Sequence, residues 1–205
     1  MILEVDTDEG RYHRQTLITW WDQDRLRAAR VLVVGAGALG NELVKDLALV
    51  GVGHLEVIDL DRVERSNLAR CAFFREEDEG RPKAEVVARA AAALNPEVTV
   101  VGHVGDVTAI GLGRLAGFDV VVGGLDNREA RVFINAACAR VGKAWVDGAI
   151  EALSGVVRVF SPGDGACYEC TMNSTDRKLL AERRSCALLA RDLVSQGRVP
   201  TSAVA

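Results

Sequence analysis

Gly35, Gly37 and Gly40 lie in the string VLVVGAGALGNEL, between a branched apolar run and a helical pattern. In such a place the first glycine permits a tight turn. The second lets backbone approach a phosphate, and the third lets the helix pack close to the strand. The helix start offers free N–H groups and about half a positive charge to an anion. The competing reading is a glycine-rich turn with no ligand. No GxxxxGK[ST] string occurs, so the chain has no P-loop. Asp59, in the string EVIDLD, closes the second strand, about 20 residues further on, where a carboxylate can accept from ribose hydroxyls. Asp61 follows it in the loop. Either acid could instead cap that loop.

Asn67, Arg70 and Lys83 come next, in RVERSNLAR and GRPK. A dehydrogenase has no clear need for them. A triphosphate carries several negative charges, and enzymes that transfer nucleotidyl or phosphoryl groups place cations where charge develops. Arginine offers a planar fork of donors and lysine a point charge. The plain alternative is a set of solvated surface charges. Asp126 sits in GGLDN, after an apolar run. That is the carboxyl end of a parallel strand, where open α/β sheets bind ligands. A hard carboxylate there suits Mg²⁺ shared with phosphates; the alternative is a cap on the next helix.

The five cysteines are Cys71, Cys138, Cys167, Cys170 and Cys186. An odd count in a chain that opens on an acidic, polar segment argues against a disulfide framework and for a reducing cytoplasm. Cys167 and Cys170 form a CxxC. Tetrahedral Zn²⁺ needs four ligands, commonly two such pairs. No second pair is present, and His13, His54 and His103 have no paired spacing. Half a zinc site and a redox pair both remain open. Cys186 follows Arg183 and Arg184, which would favour a thiolate; an incidental cysteine is the alternative. Cys71 reads as a small buried thiol.

The elements that must hold these groups alternate along the chain. Strands are expected at 31–34, 55–58, 98–101, 120–122 and 145–146, with helices at 41–50, from Pro82 to 94, and at 129–141. This predicts an α/β fold: a doubly wound, Rossmann-like, mostly parallel sheet. A further strand at 156–160 has no direction fixed by its pattern. Residues 1–29 read as an N-terminal arm and helix, 30–160 as the nucleotide-binding unit, and 161–205 as a C-terminal crossover segment expected to be incomplete at its end. The 205 residues suffice for one α/β domain, 49% hydrophobic and 26% charged. A net charge of −4 gives no footprint for nucleic acid. No apolar run reaches the roughly 20 residues of a membrane span.

RYHRQ, GAGALG, DLD, SNLAR, the lysine after GRP, GGLDN and CYEC occur in the order of the ThiF/MoeB/HesA family. That family includes the adenylation domains of ubiquitin-activating enzymes. The resemblance runs from residue 11 to about 190. It implies that the glycine loop holds ATP and that Asp59 binds its ribose. Asn67, Arg70 and Lys83 would contact phosphates, and Asp126 would bind Mg²⁺ and be needed for catalysis. Arg14 resembles an arginine finger reaching into a partner subunit, which implies a homodimer; Arg11 is the less suited candidate. Cys186 matches a cysteine that takes over the acyl group or sulfur in some members. One departure is Cys71, where members often carry glutamine.

The resemblance further implies adenylation of the C-terminal carboxylate of a small ubiquitin-like protein ending in Gly-Gly, for later sulfur or thiol transfer. Other readings stay open. They are a relative that adenylates a peptide or tRNA-borne carboxylate, an NAD-dependent oxidoreductase, and an inactive scaffold subunit.

Overall fold

A computed structural model describes residues 10–151 and 154–181. Two short helices come first, α1 (His13–Thr16) and α2 (Gln23–Ala28). Asp22 caps α2, its carboxylate accepting from the Arg25 N–H at 2.9 Å. Strands and helices then alternate: β1 (Arg30–Val34), α3 (Ala38–Leu49), β2 (His54–Asp59), α4 (Lys83–Leu94), β3 (Thr99–Val104), α5 (Leu112–Leu115), β4 (Val120–Gly123), α6 (Arg128–Val141), β5 (Ala144–Glu151) and β6 (Ser154–Phe160). A 3₁₀ turn over Tyr168–Thr171 and α7 (Ser174–Ala181) follow.

The six strands form one sheet in the order β3-β2-β1-β4-β5-β6. β1 to β5 are parallel, and β6 runs antiparallel to β5. The strand order therefore reverses between β1 and β4, and a crevice opens there at the carboxyl edge. The expected doubly wound, mostly parallel sheet is what forms. β6 takes its direction from its connection. Only residues 152 and 153 separate it from β5, enough for a hairpin but far short of a parallel crossover.

Both faces of the sheet are covered, which explains the unbroken apolar run of β1. On one face Val31, Val33, Leu55 and Val57 pack against Val44 of α3 and Val86 and Val87 of α4. On the other, Leu32, Val34 and Val121 pack against Ile134 and Cys138 of α6. Trp145, Phe160 and Tyr168 extend that second core, with Trp145 stacked on Phe160 at 5.0 Å between ring centroids. The segment after β6 thus lies on the α6 face. Among the described residues no helix is long and apolar enough to cross a membrane.

Candidate functional site

The glycine turn stands at the carboxyl end of β1. Gly35 has φ +96°, and a Cβ there would lie 2.7 Å from the Gly124 carbonyl oxygen. A Cβ on Gly40 would fall 1.9 Å from the Gly35 carbonyl oxygen, whereas Gly37 faces open space. Turn, close helix approach and room for a ligand are thus divided among the three glycines. Gly124 is a fourth constrained position, its Cβ direction 3.0 Å from the Gly40 nitrogen. Its N–H donates to the Val34 carbonyl at 2.9 Å. The GGLDN loop is therefore butted against the glycine turn, and Asp126 follows two residues later.

Asp59 ends β2 beside that turn. One carboxylate oxygen accepts from the Ala36 N–H at 2.6 Å and the other from the Asp61 N–H at 2.7 Å. Burial raises its pKa above the usual carboxylate value, against the pull of these two amides and of the Lys83 charge. Lys83, the first residue of α4, is held twice. Its backbone N–H donates to the Asp61 carbonyl, and its ammonium lies 2.9 Å from the Asp61 carboxylate. Its side chain is only 12% exposed, so the charge faces the loops rather than bulk water.

Asn67 is buried at the end of a 3₁₀ turn, Arg65–Asn67. Its side-chain oxygen accepts from the Glu64 N–H at 3.0 Å, closing a local capping box. Its amide group makes only a 3.5 Å contact with the Ser66 hydroxyl. Arg70 is exposed, tethered by one bond to the Ser66 carbonyl at 2.7 Å. Cys71 is buried and burial pushes its thiol up, while Arg70 and Lys83 both pull it down by charge. Arg70 and Lys83 thus both lie within electrostatic reach of Cys71.

Asp126 is exposed, with no side-chain hydrogen bond or ion pair to the described residues. The cap of α6 is its neighbour Asn127, whose side chain accepts from the Glu129 N–H at 2.8 Å. The capping alternative for Asp126 is therefore removed. Beneath the loop lies a polar group that sequence reasoning missed. Arg131, on α6, donates to Asp147 at 2.8 Å, to the Gly148 carbonyl at 3.1 Å and to the Leu125 carbonyl. Asp147 is 0% exposed and also accepts from Arg158 at 2.9 Å. The buried arginine thus holds the peptide that precedes Asp126.

A single free carboxylate beside an open glycine turn fits Mg²⁺, which binds through one or two carboxylates plus substrate phosphates. Among the described residues no three His, Cys, Asp or Glu side chains gather around a metal position. Cys167 and Cys170 lie with their sulfurs 3.6 Å apart. The backbone amide of Cys170 and the Asn135 side chain pull the Cys167 thiol down. These two thiols fit half of a tetrahedral zinc site. Cys186 lies outside the described residues.

Arg14 and Arg11 differ in their surroundings. Arg11 pairs with Glu97 at 3.8 Å, while Arg14 is exposed and has no side-chain partner among the described residues. Between them Tyr12 is buried, its hydroxyl accepting from Asn95 at 2.7 Å. Asn95 also donates to the Ala48 carbonyl at 2.7 Å. The arm is therefore anchored where α3 and α4 end, at the amino edge of the sheet. The glycine turn is at the start of α3, a 12-residue helix and so about 18 Å away along its axis.

The sequence profile of the ThiF family matches residues 12–190, and the chain belongs to that family. It is 41% identical over 169 residues to the sulfur carrier protein adenylyltransferase of Thermus thermophilus, covering 78% of this chain and 62% of that protein. It is 44% identical over 175 residues to the SAMP-activating enzyme E1 of Haloferax volcanii, covering 83% and 64%. A crystal structure of E. coli MccB with ATP superposes with a TM-score of 0.72 at 27% identity, over 88% of this chain and 58% of that one. The chain spans between 34% and 64% of the length of the curated relatives heading the comparison.

Proposed function

We propose that this protein is an ATP-dependent adenylyltransferase acting on the C-terminal carboxylate of a small ubiquitin-like protein that ends in Gly-Gly. The observation that carries the reading is the convergence at one crevice of the open Gly37 turn, the half-buried Asp59, the paired Lys83 and the exposed Asp126. The relatives named as adenylyltransferase and activating enzyme support it, as does the likeness to a protein solved with ATP.

In this reading the helix N-terminus and the Gly37 backbone receive the phosphates, and Asp59 accepts from the ribose. Asp126 would hold the Mg²⁺ that accompanies ATP, which would supply charge neutralisation at the phosphates. A carboxylate oxygen of the partner attacks the α-phosphorus. The bond to the bridging oxygen breaks, and pyrophosphate leaves with its electron pair. Arg70, Lys83 and the amide of Asn67 stabilise the charge that develops on the phosphates. The acyl-adenylate is then open to a sulfur donor or thiol, and Cys186 is the candidate thiol on this chain.

Arg14 acts on the site of a second subunit. The anchor of its arm at the far edge of the sheet supports this, and in this reading the working form is a homodimer. The assay is ATP–pyrophosphate exchange with Gly-Gly-ending partners. Exchange dependent on both Gly-Gly and Asp126 supports the reading. Exchange that needs no partner, or that survives Asp126→Ala, contradicts it.

A further inference from the structure

We infer that Asn41 is a positioning residue that couples the nucleotide's seat on the glycine turn to the loop carrying Arg70, an inference that rests on the nucleotide-binding part of the proposed function. Asn41 is 0% exposed on the first turn of α3. It cannot touch a ligand, and every polar atom of its side chain is used. Its amide group donates to the Ala36 carbonyl at 2.9 Å and to the Gly37 carbonyl at 3.0 Å. Its oxygen accepts from the Phe73 N–H at 3.0 Å. Two carbonyls on one side and one N–H on the other admit a single orientation of the carboxamide.

These bonds join segments 32 residues apart in the chain. On one side they fix the carbonyl of Ala36, a residue whose own N–H is already held by Asp59. On the other they fix the end of a run of tight turns. That run starts at Asn67, whose carbonyl accepts from Arg70 and Cys71, and continues through the Cys71 carbonyl, which accepts from Phe74. Arg70 has a single exposed tether of its own, to Ser66. The loop is seated in the core by Cys71 and Phe74, and Asn41 supplies the hydrogen bond that ties it to the glycine turn. A buried carboxamide with no spare valence transmits a shift of either loop to the other, because breaking one bond would strand a buried polar group.

The test is amide hydrogen exchange on the full chain, with and without Mg²⁺ and the non-hydrolysable analogue AMPCPP. Wild type, Asn41→Leu and Asn41→Ser are compared, the serine variant serving if the leucine variant does not fold. Wild type is expected to show slowed exchange in both 35–40 and 68–75 when the nucleotide binds. In the variants slowing at 35–40 persists, and slowing at 68–75 falls by about 3- to 30-fold. Pyrophosphate exchange per folded molecule falls over the same range, with the partner's KM unchanged. A role confined to stability would lower the melting temperature and leave that ratio intact.

Equal slowing at 68–75 in variant and wild type overturns the inference. So does slowing confined to 35–40 in wild type. A wild type with no response to nucleotide at either segment overturns both this inference and the nucleotide reading. A wild type that couples the two segments but exchanges no pyrophosphate leaves Asn41 in its role and removes the adenylation reading alone.

Discussion

The Asp59 carboxylate accepts the Ala36 N–H at 2.6 Å, so the acid that closes β2 also braces the glycine turn. Its burial raises the folded-state pKa above the unfolded carboxylate value. The folded protein therefore holds this proton more tightly than the unfolded chain. The contribution of Asp59 to stability is greatest in acid. It declines as pH rises through the window from the ordinary carboxylate value to the raised one. Asp59→Asn should abolish that decline, but it keeps only one acceptor for the two backbone N–H groups of Ala36 and Asp61, so the melting temperature at neutral pH should fall. Nucleotide affinity should fall about 10- to 100-fold for the loss of a charged acceptor. Melting curves against pH and calorimetric nucleotide titrations read the two effects separately.

Arg131 and Asp147 form a buried pair, 2.8 Å apart. Removing one partner of a buried pair leaves an uncompensated charge. Arg131→Ala should lose about 3–5 kcal/mol of stability, since Arg158 compensates Asp147 only in part. Chemical denaturation gives the value directly. A loss below about 1 kcal/mol, the scale of an exposed pair, would show that the network is not dry.

Gly37 and Gly40 should separate ligand binding from packing. Gly37 faces open space at φ −74°, so Gly37→Val should keep the melting temperature and weaken nucleotide binding. At Gly40 a methyl would meet the Gly35 carbonyl oxygen at 1.9 Å. Gly40→Ala should therefore cost about 1–3 kcal/mol of stability as well as nucleotide affinity. Paired melting and binding measurements on the two variants check the contrast.

Arg14 in a partner's site can be tested by mixing. Arg14→Ala and Asp126→Ala homodimers should each be nearly inactive. In a mixed dimer, one site regains both an intact Asp126 and an arginine from the other subunit. Random exchange of equal amounts makes half the dimers mixed, with one working site each, so about a quarter of wild-type activity should return. No recovery after verified subunit exchange would place Arg14 in its own subunit's site or outside catalysis.

Much of this architecture was legible from local pattern. Branched runs and glycine or proline punctuation located β1, β2, β4 and α4, because buried parallel strands and helix caps leave local marks. β6 was placed, but its direction depends on the length of the connection rather than on its own residues. Asn67 carried a readable local sign, since Glu64-Arg65-Ser66-Asn67 has the spacing of a capping box, closed here by the Asn67 oxygen. The roles of Asn41, Arg131 and Gly124 were not legible. Their partners are Phe73, Asp147 and the glycine turn, each far along the chain, and no short window of sequence reports such a contact. Asp126 and Arg14 are the converse case: type and order made them candidates. The structure adds that Asn127 takes the α6 cap and Arg11 takes the nearby ion pair, leaving both candidates without a competing partner among the described residues.

The most direct measurement is ATP–pyrophosphate exchange by the wild-type protein and Asp126→Ala, with a small ubiquitin-like protein ending in Gly-Gly and the same protein truncated by those two residues. Asp126 is exposed and caps nothing, so its variant should melt within a few degrees of wild type. The account predicts exchange only for wild type with the intact partner. Exchange by Asp126→Ala, or equal exchange with the truncated partner, would contradict it.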